Sequence, residues 1–239
     1  MLDALGAVLL TAMAVVLVAV LVPRAGSQQA SRPRLRWLLG TWFIVITILA
    51  ALGAFTSPAL PVGFAVGIAV LLPVLAGSAV VARTQGFGIP LATLVAVHVG
   101  RLLGVMFLIL YSAGRLPYTF AHAAGWGDIA TALLAIPVAL AVHRQTPGWW
   151  WATAIWNVLG MLDLVTAVTL GVGSAPGSML RFIFESPGSG AIVSLPLVLI
   201  PGFFVPLFLL THVAVFAGLA AAARKRGDAA RPAVLAPVR

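Results

Sequence analysis

Most constraining in this chain is a series of apolar stretches, each long enough to cross a bilayer and separated by short connectors. A helix needs about 20 apolar residues to span the hydrocarbon core. The chain offers such stretches at residues 5–22, 37–55, 61–81, 91–111, 129–142, 150–170 and 191–222. The fifth is short unless it begins at Gly125, and the seventh is long enough to tilt or break. Lipid supplies no partner for backbone N–H and C=O groups, so these stretches must close their hydrogen bonds internally, as helices. The expected fold class is all-α: a polytopic transmembrane helix bundle of about seven spans over residues 1–223, followed by a basic, disordered tail over 224–239. Composition agrees, because only 8% of residues are charged, against about 25% in a soluble domain.

The charged residues are few but unevenly placed. Arg24, Arg32, Arg34 and Arg36 lie in the first connector, Arg83 in the third and Arg144 in the fifth. Arg224, Lys225, Arg226, Arg231 and Arg239 lie in the tail. With seven spans all of these share one side of the membrane, and only Arg115 and Arg181 fall on the other. Basic connectors stay in the cytoplasm, so the N-terminus is expected outside and the C-terminus inside, in the inner membrane of a bacterium. Trp37 and the Trp149-Trp150-Trp151 run enter their spans from the basic side, as interfacial anchors do. The first span carries Asp3 and no basic residue ahead of it, so it reads as a span and not a signal peptide. A net charge of +9 does not imply nucleic acid, since the charges sit in connectors and a tail and not on a folded basic face.

Inside a membrane an ionisable side chain needs partners, and few residues here qualify. At about 1.5 Å of rise per residue, Arg101 and Asp163 both fall near the middle of their spans. They are expected to form a buried ion pair, direct or through water, as a functional site or as a clamp on helix register. His98 is one turn from Arg101. His212 and Asn157 fall at a similar depth on two other spans. Two imidazoles at one level can pass protons, ligate a haem or a metal, or simply hydrogen-bond within the bundle. The sixth span carries Thr153, Asn157, Gly160 and Asp163 at spacings of three and four, which makes one polar face. Gly100 and Gly104 on the fourth span favour close helix contact. Asp128 reads either as the N-cap of the fifth helix or as an outer gate or partner for Arg115. Pro196, Pro201 and Pro206 interrupt the seventh span, and residues 179–185 are either a short interfacial helix or a plain loop.

Several activities are excluded by what is missing. There is no lysine within a span for a Schiff base, since the single lysine is Lys225. No cysteine is present for thiolate chemistry or ligation. No phosphate loop, dinucleotide fingerprint or serine elbow is found. The stretches Ala124-Gly125-Trp126-Gly127-Asp128-Ile129, Trp156-Asn157-Val158-Leu159-Gly160-Met161-Leu162-Asp163 and Pro196-Leu197-Val198-Leu199-Ile200-Pro201 give the half from His98 to His212 a specific pattern. That half resembles a family of uncharacterised small bacterial multi-pass membrane proteins, a resemblance that implies no activity.

The functional expectation is a multi-pass protein that transports or binds a small solute or ion, with proton coupling, and enzymatic activity is left open. Its site would lie between the fourth, sixth and seventh spans and use Arg101, Asp163, Asn157, His98, His212 and Asp128. No cofactor is predicted. The alternatives are a redox protein with haem or metal on His98 and His212, and a non-catalytic subunit of a membrane complex or homo-oligomer.

Overall fold

The computed structural model describes residues 1–25, 31–57, 61–84 and 86–230. Among these residues seven helices are long and apolar enough to cross a membrane. They are α1 (Leu2–Arg24), α2 (Ser31–Ala51), α3 (Val62–Arg83), α4 (Leu91–Ser112), α5 (Tyr118–Arg144), α6 (Trp149–Ser174) and α7 (Val205–Ala230). Short connectors place successive helices antiparallel. The protein is therefore an all-α transmembrane bundle, as its apolar pattern requires.

Burial separates the helices into a centre and a margin. The apolar window of the last span is 67% buried, that of α2 only 17%. α7 packs on α3, α4 and α6, while α5 is held between α4 and α6. α2 leans on α1 and barely touches α3. Because lipid tails are as apolar as leucine, close packing and not apolar transfer holds such helices together. Gly77 of α3 shows the consequence: a Cβ there would come within 2.8 Å of Leu210 on α7.

Three elements depart from the simplest reading of the sequence. α5 starts at Tyr118 and not at Gly125 or Ile129. Gly125 and Gly127 break helices in water but here lie inside one, where a neighbouring helix closes on them. α4 is not uniform: its middle, Val97–Gly104, tightens into a 3-10 helix. The last span is broken. A 3-10 turn at Gly190–Val193 and a buried irregular stretch lead into a wide π turn at Ile200–Phe204, and only then does α7 begin. In that turn the Val205 N–H bonds the Ile200 carbonyl, five residues back. Pro201 sits in the first turn, where its missing N–H group breaks little, and Pro206 follows directly on the π turn.

Residues 179–185 form a loop and no interfacial helix. The carbonyl of Gly173, left open at the end of α6, accepts the N–H groups of both Phe182 and Ile183 at 2.9 Å. Those donors are therefore spent on the helix end. At the other end of the molecule α7 continues to Ala230, into the segment expected to be irregular. The alanine, arginine and lysine residues there are strong helix formers. Arg231 and Arg239 lie outside the described residues.

Glu185 ties this loop to α5. Its carboxylate accepts the Thr119 N–H at 2.9 Å and also the Thr119 hydroxyl, so it caps the helix from a distance. The hydroxyl first, then the amide, pull the Glu185 pKa below its ordinary value of 4.5.

A lowered carboxylate pKa stabilises the fold at pH above the unfolded value, and that contribution is lost as pH falls through the folded value. Protection of the Thr119 amide in hydrogen exchange, corrected for intrinsic rate, should therefore drop below pH 4.5, and Glu185→Gln should abolish the dependence. Packing makes a second prediction. Gly63→Val should lower stability by roughly 1–3 kcal/mol through overpacking, since a Cβ at Gly63 would already meet Val172 at 2.9 Å. Gly40→Ala, with nothing within 4 Å, should leave it unchanged or raise it. Thermal unfolding in detergent compares the two.

Candidate functional site: a buried arginine held by two carboxylates

The 3-10 geometry of α4 sets the site. With three residues per turn, side chains at i and i+3 eclipse. His98, Arg101 and Gly104 follow that spacing, and all three are buried. One line along α4 thus presents an imidazole, a guanidinium and a gap to α5, α6 and α7.

Arg101 is 2% exposed and every guanidinium nitrogen is engaged. Nε donates to Asp128 Oδ1 on α5 at 2.7 Å. Nη2 donates to Asp163 Oδ2 on α6. Nη1 donates to the Gly160 carbonyl at 3.0 Å and lies 3.4 Å from His212 Nε2. The expected pair with Asp163 is present and direct. Asp128 is a correction: it is neither the N-cap of α5 nor a partner for Arg115. It lies inside the helix, facing Arg101, because α5 begins ten residues earlier than its position, at Tyr118. Arg115 instead pairs with Asp3 at 2.8 Å, at the far end of the bundle.

The two histidine rings lie against one another, centroids 4.1 Å apart and planes tilted by 43°. Their hydrogen bonds assign the tautomers. Asn157 Nδ2 donates to the His212 carbonyl at 3.1 Å, which orients the amide. Its Oδ1 is then an acceptor 2.7 Å from His212 Nδ1, so that nitrogen carries the proton. His212 Nε2 is left with its lone pair toward Arg101. Thr211 Oγ1 donates to the Phe208 carbonyl at 2.8 Å and so accepts from His98 Nε2 at 2.9 Å. His98 Nδ1 is buried without a hydrogen-bond partner among the described residues. Trp156 stands edge-on to His98 at 5.1 Å and donates its indole N–H to the Thr131 carbonyl at 3.0 Å.

All six expected residues converge: His98, Arg101, Asp128, Asn157, Asp163 and His212. Glycine makes the convergence possible. A Cβ at Gly127 would collide with the Asp163 carboxylate, and one at Gly104 with Asp128. At Gly160 a Cβ would meet His212 at 2.7 Å. Gly127 and Thr211 were not singled out in the sequence. Nothing in their spacing marks them, since each matters only through a residue on another helix.

One positive charge against two negative ones leaves the cluster one charge negative if both carboxylates are ionised. Each keeps a partly exposed edge, with side chains 15% and 16% exposed at Asp128 and Asp163. A void of about 30 Å³ touches Arg101 and Asp128, close to one water molecule's share of liquid volume. The void is large enough for about one water molecule beside the two groups. Among the described residues no group of three or more histidine and carboxylate side chains is arranged to hold a metal ion.

Residues 68–220 match the model of a domain of unknown function, DUF8737. The chain belongs to that family. The matched region contains all six residues of the cluster and agrees with the uncharacterised family anticipated from the sequence. No curated protein matches the chain, and no solved structure does.

Removing the cation alone should be far worse than removing the whole charged group. Arg101→Met is expected to cost about 3–5 kcal/mol, because it leaves buried carboxylates unpaired. Adding Asp128→Asn and Asp163→Asn should restore most of that loss in thermal unfolding. Gly127→Ala should destabilise by displacing the Asp163 carboxylate, and Gly127→Ser should do so no less.

Proposed function

We propose that this protein carries or binds a small solute or ion through the membrane, using the Arg101 cluster as its charge-exchange site. The observation that carries the reading is one guanidinium shared between carboxylates on two different helices. Such a cation can stay with one carboxylate while the other takes a proton or a small cation. Alternatively it can leave one for an anionic solute. Either exchange swaps charges between α5 and α6 without leaving Arg101 bare in lipid, where exposure would cost at least ~3 kcal/mol.

The surrounding structure supports motion at this point. α4 is a 3-10 helix where Arg101 sits, and a π turn precedes α7; both are common at hinges and functional sites. The broken last span is the expected moving element, since discontinuous helices recur at transporter sites. His212 Nε2, with its lone pair toward Arg101, would be the nearest base to a proton exchanged at the carboxylates. The haem alternative is weaker. An axial pair holds the metal and its ring between two imidazoles, whereas these rings touch, with centroids only 4.1 Å apart. We further infer a bacterial inner-membrane location with the N-terminus outside, from the gathering of basic residues in alternate connectors.

The test is flux in proteoliposomes loaded with a pH-sensitive dye and offered a panel of small organic anions, amines and alkali cations. Wild-type protein is expected to give a solute-dependent pH change that Arg101→Ala and Asp163→Asn abolish. Both variants must keep helical content and a single elution peak. Wild-type flux in both would remove the cluster from the mechanism, and silence of the wild type across the panel would defeat the transport reading.

A further inference from the structure

A second feature lies apart from the charged cluster. A cavity of about 450 Å³ opens between α1, α2, α3 and α7. That is roughly three times the ~150 Å³ of an apolar cavity that takes up benzene, and within the range of ligand pockets. Its wall is hydrocarbon almost throughout, from Leu21, Leu39, Leu94 and Leu207 among others. Its mouth is lateral. Leu38, Leu72 and Val80 line it and are 58%, 63% and 44% exposed on spanning helices. The gap exists because α2 and α3 barely touch.

Two polar features mark what enters. The indole nitrogen of Trp42, on the cavity wall, is buried and has no acceptor among the described residues. A buried donor of this kind calls for an oxygen. At the basic end of the same helices are Arg34 and Arg36, flanking the lining residue Leu35, and Arg83, two residues beyond the lining residue Val81. All three arginines are exposed. Trp42 follows Arg36 by six residues, about 9 Å along a helix. The site offers positive charge at its basic end and, that much further in along α2, one hydrogen-bond donor on the wall of a hydrocarbon chamber. A phospholipid presents the same three groups: phosphate, ester carbonyl, acyl chain. Basic pockets between spanning helices hold anionic headgroups in this way.

We propose that the cavity is a binding site for one anionic phospholipid, entered between α2 and α3. The phosphate lies on Arg36 and Arg83, the ester carbonyl accepts from Trp42 Nε1, and one acyl chain fills the chamber. Thr211, whose hydroxyl accepts from His98, lines the same chamber. The lipid thus reaches the edge of the charged cluster but does not depend on what that cluster does.

Native mass spectrometry of delipidated full-length protein, titrated with phosphatidylglycerol or phosphatidylcholine of identical chains, tests this. One phosphatidylglycerol should bind first and separately from the weaker, graded uptake of annular lipid. Arg36→Gln with Arg83→Gln should weaken that site about 30-fold and erase its preference over phosphatidylcholine. Ala76→Trp, at an exposed lining position, should block the chamber and weaken both lipids. Trp42→Phe should weaken both lipids while keeping the preference. Graded uptake alone, equal binding of the two lipids, or a site untouched by Ala76→Trp would each overturn the proposal. A retained neutral molecule in place of phosphatidylglycerol would do the same. Flux measured in phosphatidylcholine vesicles separates this result from the fate of the Arg101 cluster.

Discussion

Everything near the centre of this molecule is arranged around one desolvated guanidinium. An arginine in the middle of a membrane span is costly unless its nitrogens find acceptors. Arg101 finds them on three helices: Asp128 on α5, Asp163 and the Gly160 carbonyl on α6, and His212 on α7. Because these partners come from different helices, their mutual register is tied to one side chain. The planar, fixed fork of guanidinium suits that task, as a lysine ammonium would not.

The supporting shell follows from that demand. Carboxylates and an imidazole must approach to hydrogen-bond distance, and the helix backbones must close up to let them. Gly104, Gly127 and Gly160 supply the space. The 3-10 segment of α4 supplies the alignment, stacking His98, Arg101 and Gly104 along one line. In an aqueous helix such glycines and such a tightened turn would be liabilities. In lipid, where packing and polar contacts hold helices together, they are what lets the cluster form.

A cluster so fully bonded can be a lock or an exchange site. The imbalance of one cation with two carboxylates, and the partly exposed edges of both, favour exchange. The apolar chamber on the opposite side of Thr211 adds a second kind of chemistry, in which lipid is a ligand as well as a solvent. The two sites meet at the Thr211–His98 hydrogen bond.

The amino-acid sequence alone determined the membrane class, the number of spans and the depth of each polar residue. Those properties depend on local hydrophobicity and on a fixed rise per residue. Matched depth was enough to pair Arg101 with Asp163 and to set His98, Asn157 and His212 at one level. The tertiary structure decided what depth cannot: azimuth and contact. It placed Asp128 on Arg101, not at a helix cap, because the start of α5 depends on neighbours that close over Gly125 and Gly127. It set the two imidazoles against one another, bridged one to Thr211, and left α2 away from α3 to open the apolar chamber. Interhelical packing depends on which faces meet, and in a chain whose helices are apolar over most of their surface that choice is made only when the whole bundle assembles.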